Sequence, residues 1–184
     1  MRWLNRRSRT GGVPSFSRQP PRAGDIFEAL LLDNFIPTST AILPKTIFDG
    51  GLRFRGEYSP AEDYDFWLRA ARRGTARFCP EPLAVYHRHP GQWGADLGVM
   101  FPSCARVVED ALRDAHRTVA AVPGARRRLW QLHFVAARAM AAAGRWQDAA
   151  DALVRAAALR PFDWRSVVFL LRARACAGRL SARL

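Results

Sequence analysis

The sequence predicts an α/β domain followed by an all-α extension. Three observations predict it: short runs of β-branched and apolar residues between turn residues, a well-marked helix start between two of those runs, and an alanine- and arginine-rich composition after about residue 102. They divide the chain into a basic tail (1–24), an α/β segment (25–100) and a helical extension (101–184).

The basic tail is rich in Arg, Pro, Gly and Ser and has little hydrophobic periodicity, which predicts a flexible segment. It carries six arginines and no acidic residue. No apolar run follows these arginines, so the tail does not have the pattern of a secretory signal.

The middle segment alternates predicted helices and strands. The spacing of apolar residues predicts a helix over Asp25–Asp33. Alternating β-branched residues predict a strand over Phe35–Leu43, and Asp49-Gly50-Gly51 predicts a turn. Two further short strands are expected over Ala76–Cys79 and Leu83–His87.

A second helix of this segment has a clear start signal. Ser59 is expected to cap it, Pro60 to occupy the first helical position, and Glu62 to complete a capping box. The helix is expected to run through Asp63–Arg73 and to end at Gly74.

The helical extension is expected to contain three consecutive helices. They cover Arg126–Ala143, Trp146–Leu159 and Trp164–Ala177, with breaks at Pro123-Gly124, Gly144 and Pro161.

The second of these helices has a tetratricopeptide-like pattern. Ala149, Leu153 and Ala156 stand at its small, large and small positions, and Pro161 ends it. One such unit is visible, and a helical hairpin packed against the preceding domain is the alternative interpretation.

Charge and cysteine content narrow the class of protein. The net charge of +13 lies in the two flanks, since residues 25–100 sum to −2 and residues 101–184 to +9. The three cysteines form no CxxC pair, which fits a reducing compartment, and no apolar run approaches the ~20 residues of a membrane span. We therefore expect a cytoplasmic protein, peripheral to the inner face of the cell membrane.

Two motifs in the middle segment carry a family resemblance. They are EDYDFWLR at 62–69 and PEPLAVYHRHP at 80–90, preceded by NFIPTSTAILPKTIFDGGLRF at 34–54. In order and spacing, this region (about Asp25–Gln92) resembles the C-terminal, acceptor-side half of a family 2 glycosyltransferase. The resemblance implies part of a type A glycosyltransferase fold. The donor-binding half with its DxD motif is not found in this sequence, so a truncated enzyme is expected.

The resemblance implies an inverting sugar transfer from a nucleotide-sugar donor to a saccharide or lipid-linked acceptor. Asp63 would be the base that deprotonates the acceptor hydroxyl, with Glu62 beside it holding the loop or the acceptor. An aspartate at a helix N-terminus is expected to have a low pKa, because the backbone N–H groups stabilise its ionised form. The alternative for this pair is purely structural, as a capping box and an ordinary first-turn acid.

The same resemblance places His89 near the donor diphosphate and its divalent cation, Mg²⁺ or Mn²⁺, and makes it a candidate metal contact. Arginine is usual in the family at the position of His87, and Arg88 is the candidate replacement for its charge. Asp63-Tyr64-Asp65 has DxD spelling, but it lies inside a predicted helix and is not expected to hold the metal.

Two other function classes compete with an enzyme. The extension favours a non-catalytic basic helical adaptor. The sequence pI near 11.4 favours a nucleic-acid-binding module, although no helix-turn-helix, zinc-finger or RNP-like motif is present, so nucleic acid is not the expected partner. The run Arg126-Arg127-Arg128 suits contact with an anionic membrane, with simple solvation of this surface as the alternative.

Overall fold

A computed structural model describes residues 23–79 and 96–181, with side chains as far as Cys176. Within these residues the chain forms seven α-helices, two short 3₁₀ turns (Thr38–Thr40 and Gly56–Tyr58) and no strand. The helices are α1 (Phe27–Leu32), α2 (Lys45–Asp49), α3 (Glu62–Ala71), α4 (Leu97–Asp114), α5 (Ala125–Ala142), α6 (Trp146–Leu159) and α7 (Trp164–Ser181).

The predicted fold class is therefore wrong. The described residues are all-helical, so they do not form an α/β glycosyltransferase type A domain or part of its sheet. The predicted strand over Leu83–His87 lies outside the described residues.

The segment Phe35–Leu43 is a turn between helices and not a strand. Phe35 and Ile36 are consecutive and both buried, whereas successive residues of a half-buried strand point to opposite faces. The hydroxyl of Thr40 donates to the carbonyl of Pro37 at 2.8 Å, and the Thr40 amide donates to the same carbonyl at 2.9 Å. Local hydrogen bonds of this kind give the backbone an alternative to a sheet ladder.

The predicted strand at Ala76–Cys79 is also wrong. Ala76 and Gly24 exchange two backbone hydrogen bonds, of 2.8 and 2.9 Å, as an isolated antiparallel bridge. This bridge fixes the chain before α1 to the chain after α3, and no described residue of Ala76–Cys79 belongs to a strand.

Helix α3 begins at Glu62, and its start differs from the predicted capping box. Ser59 and Pro60 precede the helix, in a turn where the Ala61 amide donates to the carbonyl of Tyr58 at 2.7 Å. Glu62 is thus the first helical residue and not the third, and Pro60 does not occupy the first helical position.

The described chain divides into two compact units. Unit 1 comprises residues 23–57 and 62–79, and unit 2 comprises residues 58–61 and 96–181. In unit 1 the core lies between α1 and α3, where Leu30, Leu31 and Tyr64 are fully buried. The hydroxyl of Tyr64 donates to the carbonyl of Leu30 at 2.5 Å, which fixes α3 against α1.

Unit 2 is a series of helices in which each packs on the next: α4 on α5, α5 on α6, and α6 on α7. The helices predicted in this part are confirmed, with α7 extending four residues further than expected. The predicted breaks are confirmed as well, and Gly144 supplies the positive φ of +75° that the turn between α5 and α6 requires.

The tetratricopeptide-like positions of α6 form the centre of unit 2. Ala149, Leu153 and Ala156 are completely buried, with α5 on one side and α7 on another. The Trp130 indole N–H donates to Ser166 Oγ at 2.9 Å, and the Phe134 and Phe169 rings meet edge to face with centroids 6.2 Å apart, so α7 also contacts α5. Of the helices described, none combines the length and the apolar character that crossing a membrane requires.

Candidate functional site

The first turn of α3 and the segment after α1 bring four polar residues together in unit 1: Asn34, Thr38, Glu62 and Asp63. The buried contact of Tyr64 with the carbonyl of Leu30 fixes this first turn beside the end of α1. Asn34 and Thr38 follow α1 directly, so the same packing places them beside Asp63.

Asp63 is a half-buried carboxyl group held by two side-chain donors. The Thr38 hydroxyl donates to Oδ2 at 3.1 Å, and the Asn34 amide nitrogen lies 3.5 Å from Oδ1. Burial raises the pKa of Asp63 above its usual value, and the nearby carboxylate of Glu62 raises it further. The hydrogen bonds from Thr38, Asn34 and the Tyr64 amide lower the pKa but do not cancel the effect of burial.

The raised pKa of Asp63 contradicts the low pKa expected from the sequence. The position of Asp63 at the helix N-terminus was predicted correctly, but the loss of hydration outweighs the stabilisation that helix N–H groups give to an ionised carboxylate. A carboxylate with a raised pKa is a stronger proton acceptor, which favours a general base.

Two more acceptor atoms of this cluster are buried and lack a hydrogen-bond donor among the described residues. They are Glu62 Oε2 and Asn34 Oδ1. A buried acceptor with no donor is costly, and in native proteins it usually receives a hydrogen bond from water or a ligand.

A separate ionic cluster on α3 maintains the position of the helix. The side chain of Asp65 is 5% exposed and lies between Arg55 and Arg69, both of which donate to it. Burial alone would raise the pKa of Asp65, but the two guanidinium groups hold it below its usual value. Arg69 forms a salt bridge with Asp65 and also donates to the backbone carbonyl of Arg53 at 2.6 Å.

The donor-side candidates His89 and Arg88, together with His87, lie outside the described residues. Within residues 23–79 and 96–181, no group of three or more His, Cys, Asp or Glu side chains is placed to hold a metal ion.

The raised pKa of Asp63 predicts a pH dependence of stability. A carboxyl group whose pKa is higher in the folded than in the unfolded state stabilises the fold fully below the unfolded value of 3.8, and this contribution is lost as the pH rises through the folded pKa. We therefore expect Asp63→Asn to become more stable relative to wild type as the pH rises from 3 towards 7. Urea unfolding midpoints over this range measure the difference.

Subtracting the two curves isolates Asp63, because Asp65 and the other carboxyl groups titrate in both proteins. A difference that does not change with pH would show that burial of Asp63 does not perturb its ionisation.

No protein-family model, curated protein or solved structure matches this chain. The resemblance to family 2 glycosyltransferases thus stays a prediction based on the motifs at 62–69 and 80–90.

Proposed function

We propose that unit 1 carries the acceptor side of an inverting, nucleotide-sugar-dependent sugar transfer in which Asp63 is the general base. The observation that supports this most is the half-buried carboxyl group of Asp63, oriented by Thr38 and Asn34. The proposal does not depend on an α/β fold, since it uses only the EDYDFWLR motif and the surroundings of its second residue.

In the proposed step, the acceptor hydroxyl oxygen attacks the anomeric carbon of the donor sugar. A new C–O bond forms while the bond from that carbon to the diphosphate breaks, and the diphosphate leaves with the bonding electron pair. The hydroxyl proton moves to a carboxylate oxygen of Asp63. Thr38 orients the carboxylate through Oδ2, and Asn34 does so through Oδ1.

The acceptor in this proposal is a saccharide or a lipid-linked saccharide, and the protein acts in the cytoplasm at the inner face of the cell membrane. No described residue is assigned to the nucleotide-sugar donor.

We expect Asp63→Asn to lower sugar transfer by at least about 100-fold, because general bases contribute about 10²–10⁴-fold to such rates. The assay follows release of UDP or GDP from a set of nucleotide sugars by the full chain with saccharide acceptors. The fold of the variant is checked by circular dichroism.

Asp49→Asn is the matched control, since Asp49 is an exposed acid of the same unit. It is expected to stay within about threefold of wild type, as are most surface substitutions away from a site. Turnover of Asp63→Asn within the same range would exclude Asp63 as the base. If neither wild type nor Asp49→Asn releases nucleotide from any donor, the proposal is contradicted and the non-catalytic helical adaptor is favoured.

A further inference from the structure

Helix α7 has two apolar faces, of which one is used inside unit 2. Ser166 and Ala173 are completely buried, and Phe169 and Leu170 pack against the core formed with α5 and α6. Asp163 accepts hydrogen bonds from the amide and the hydroxyl of Ser166 at 2.9 and 2.8 Å, so it caps the start of the helix. The inner face therefore has its partners within the unit.

The opposite face carries large apolar side chains that are exposed. Trp164 is 68% exposed, Val168 56% and Leu171 65%, and Val167 lies at the edge of the same face. Their spacing of three and four residues aligns them along the helix in one stripe. Phe162, immediately before the helix, is 99% exposed. Soluble proteins seldom leave such a continuous stripe in water unless it contacts a partner.

Arginines border this stripe on both sides. At about 100° per residue, Arg165 and Arg172 lie about 80–100° to one side of Trp164, and Arg174 lies about 80° to the other side. All three are exposed, and Trp164–Ser181 contains no acidic residue. The outer face is thus apolar along its centre and positively charged along both edges.

We propose that the outer face of α7, formed by Phe162, Trp164, Val168, Leu171 and the bordering arginines, docks on the surface of an anionic phospholipid bilayer. Interfacial helices combine a stripe of Trp, Phe and Leu with Lys or Arg at its borders, so that apolar side chains enter the acyl boundary while the cations contact phosphate groups. Guanidinium groups suit this role because they bind phosphate oxygens through two parallel hydrogen bonds.

Charge argues against two other occupants that the chain itself could supply. A second copy docking through the same face would bring its own arginines against these arginines, and like charges across an interface cost affinity. The N-terminal residues 1–24 carry six arginines and no acid, so they are repelled from this face in the same way. An anionic bilayer matches both the apolar centre and the charged borders.

This surface differs from the run Arg126-Arg127-Arg128, whose charge also suits an anionic membrane. Arg126 and Arg127 are exposed at the start of α5, but Leu129 beside them is buried and α5 itself has no large exposed apolar side chain. Such a run binds through charge alone, whereas α7 combines charge with apolar insertion. The inference is independent of sugar transfer, since it uses no residue of unit 1.

The test measures co-sedimentation of the full chain with vesicles of phosphatidylcholine containing about one-third phosphatidylglycerol, and with vesicles of phosphatidylcholine alone. We expect binding to the anionic vesicles and at least tenfold weaker partitioning to the neutral ones. The double variant Val168→Ser/Leu171→Ser is expected to lower partitioning about tenfold, because it removes apolar surface that inserts. Both positions are exposed, so the variant keeps its fold, which circular dichroism checks.

Two controls separate docking by α7 from general attraction of a basic protein to an anionic surface. Ile42→Ser removes an 86% exposed apolar side chain from unit 1 and is expected to leave partitioning within about twofold. Arg165→Gln/Arg172→Gln is expected to weaken binding about tenfold, and Arg126→Gln/Arg127→Gln less than about threefold.

Equal partitioning of Val168→Ser/Leu171→Ser and wild type would overturn the proposal, as would equal binding to the two kinds of vesicle. A dimer that forms without vesicles and is lost in the same double variant, together with no vesicle binding, would assign the face to a second copy instead.

Discussion

Asp65→Ala is expected to lower the free energy of unfolding of unit 1 by about 3 kcal/mol, the lower end of the 3–5 kcal/mol that breaking a buried ion pair costs. The Asp65 side chain is 5% exposed and accepts hydrogen bonds from both Arg55 and Arg69. Removing it leaves two guanidinium groups facing each other without their common carboxylate. They are 33% and 21% exposed, so water compensates part of the loss and places the cost near that lower end.

Amide hydrogen exchange in α3 measures this effect within unit 1 alone, because the exchange of α5 and α6 in the same sample serves as an internal reference. The pH dependence has a definite sign. The pKa of Asp65 is lowered on folding, so its stabilisation is present above the unfolded value of 3.8 and is lost as the pH falls below it. The difference between variant and wild type should shrink accordingly in acid.

Asp49→Ala is the control, since it removes a carboxylate of the same unit that is exposed at the end of α2. It is expected to change stability by less than about 0.5 kcal/mol. Equal hydrogen-exchange rates of the α3 amides in Asp65→Ala and Asp49→Ala would show that the ionic cluster does not fix the position of α3.

The helices of unit 2 were predictable because local sequence determines them. Their apolar residues recur at helical spacing over 14 to 18 residues, and Gly124, Gly144 and Pro161 mark the ends. The strands of unit 1 were mispredicted because a run such as Phe35–Leu43 has β propensity but needs a neighbouring strand to become one. Among the described residues no such neighbour exists, and hydrogen bonds within Pro37–Thr40 determine the structure.

The candidate site was predictable only in part, because local sequence determines the start of a helix but not the contacts between distant residues. The motif located Asp63 and Glu62 at the start of a helix, which the structure confirms. Asn34 and Thr38 were missed, because they lie 29 and 25 residues before Asp63 and nothing local relates them to it. The direction in which the pKa of Asp63 shifts was also missed, because the burial of its carboxyl group depends on the packing of α1 against α3.

Leu153→Ala is expected to destabilise unit 2 by about 3 kcal/mol, within the 2–5 kcal/mol typical of such core truncations. Leu153 is completely buried in a core that otherwise consists mainly of alanines, which belong to α5, α6 and α7. An alanine methyl group is fixed to its backbone and cannot move into the cavity that the truncation leaves. Met140 is the one flexible side chain in this cluster of buried residues, and it offsets part of the loss.

The adjacent Val154 provides the matched control, because it lies on the same helix and is 43% exposed. Val154→Ala is expected to cost less than about 0.5 kcal/mol, and Leu153→Met, which conserves volume, less than about 1.5 kcal/mol. Exchange of the α6 amides measures all three variants. A cost for Leu153→Ala no larger than that for Val154→Ala would mean that α5, α6 and α7 close around the missing side chain. The α7 face that packs on α6 would then lack a fixed position, and its outer stripe would not be held in one orientation.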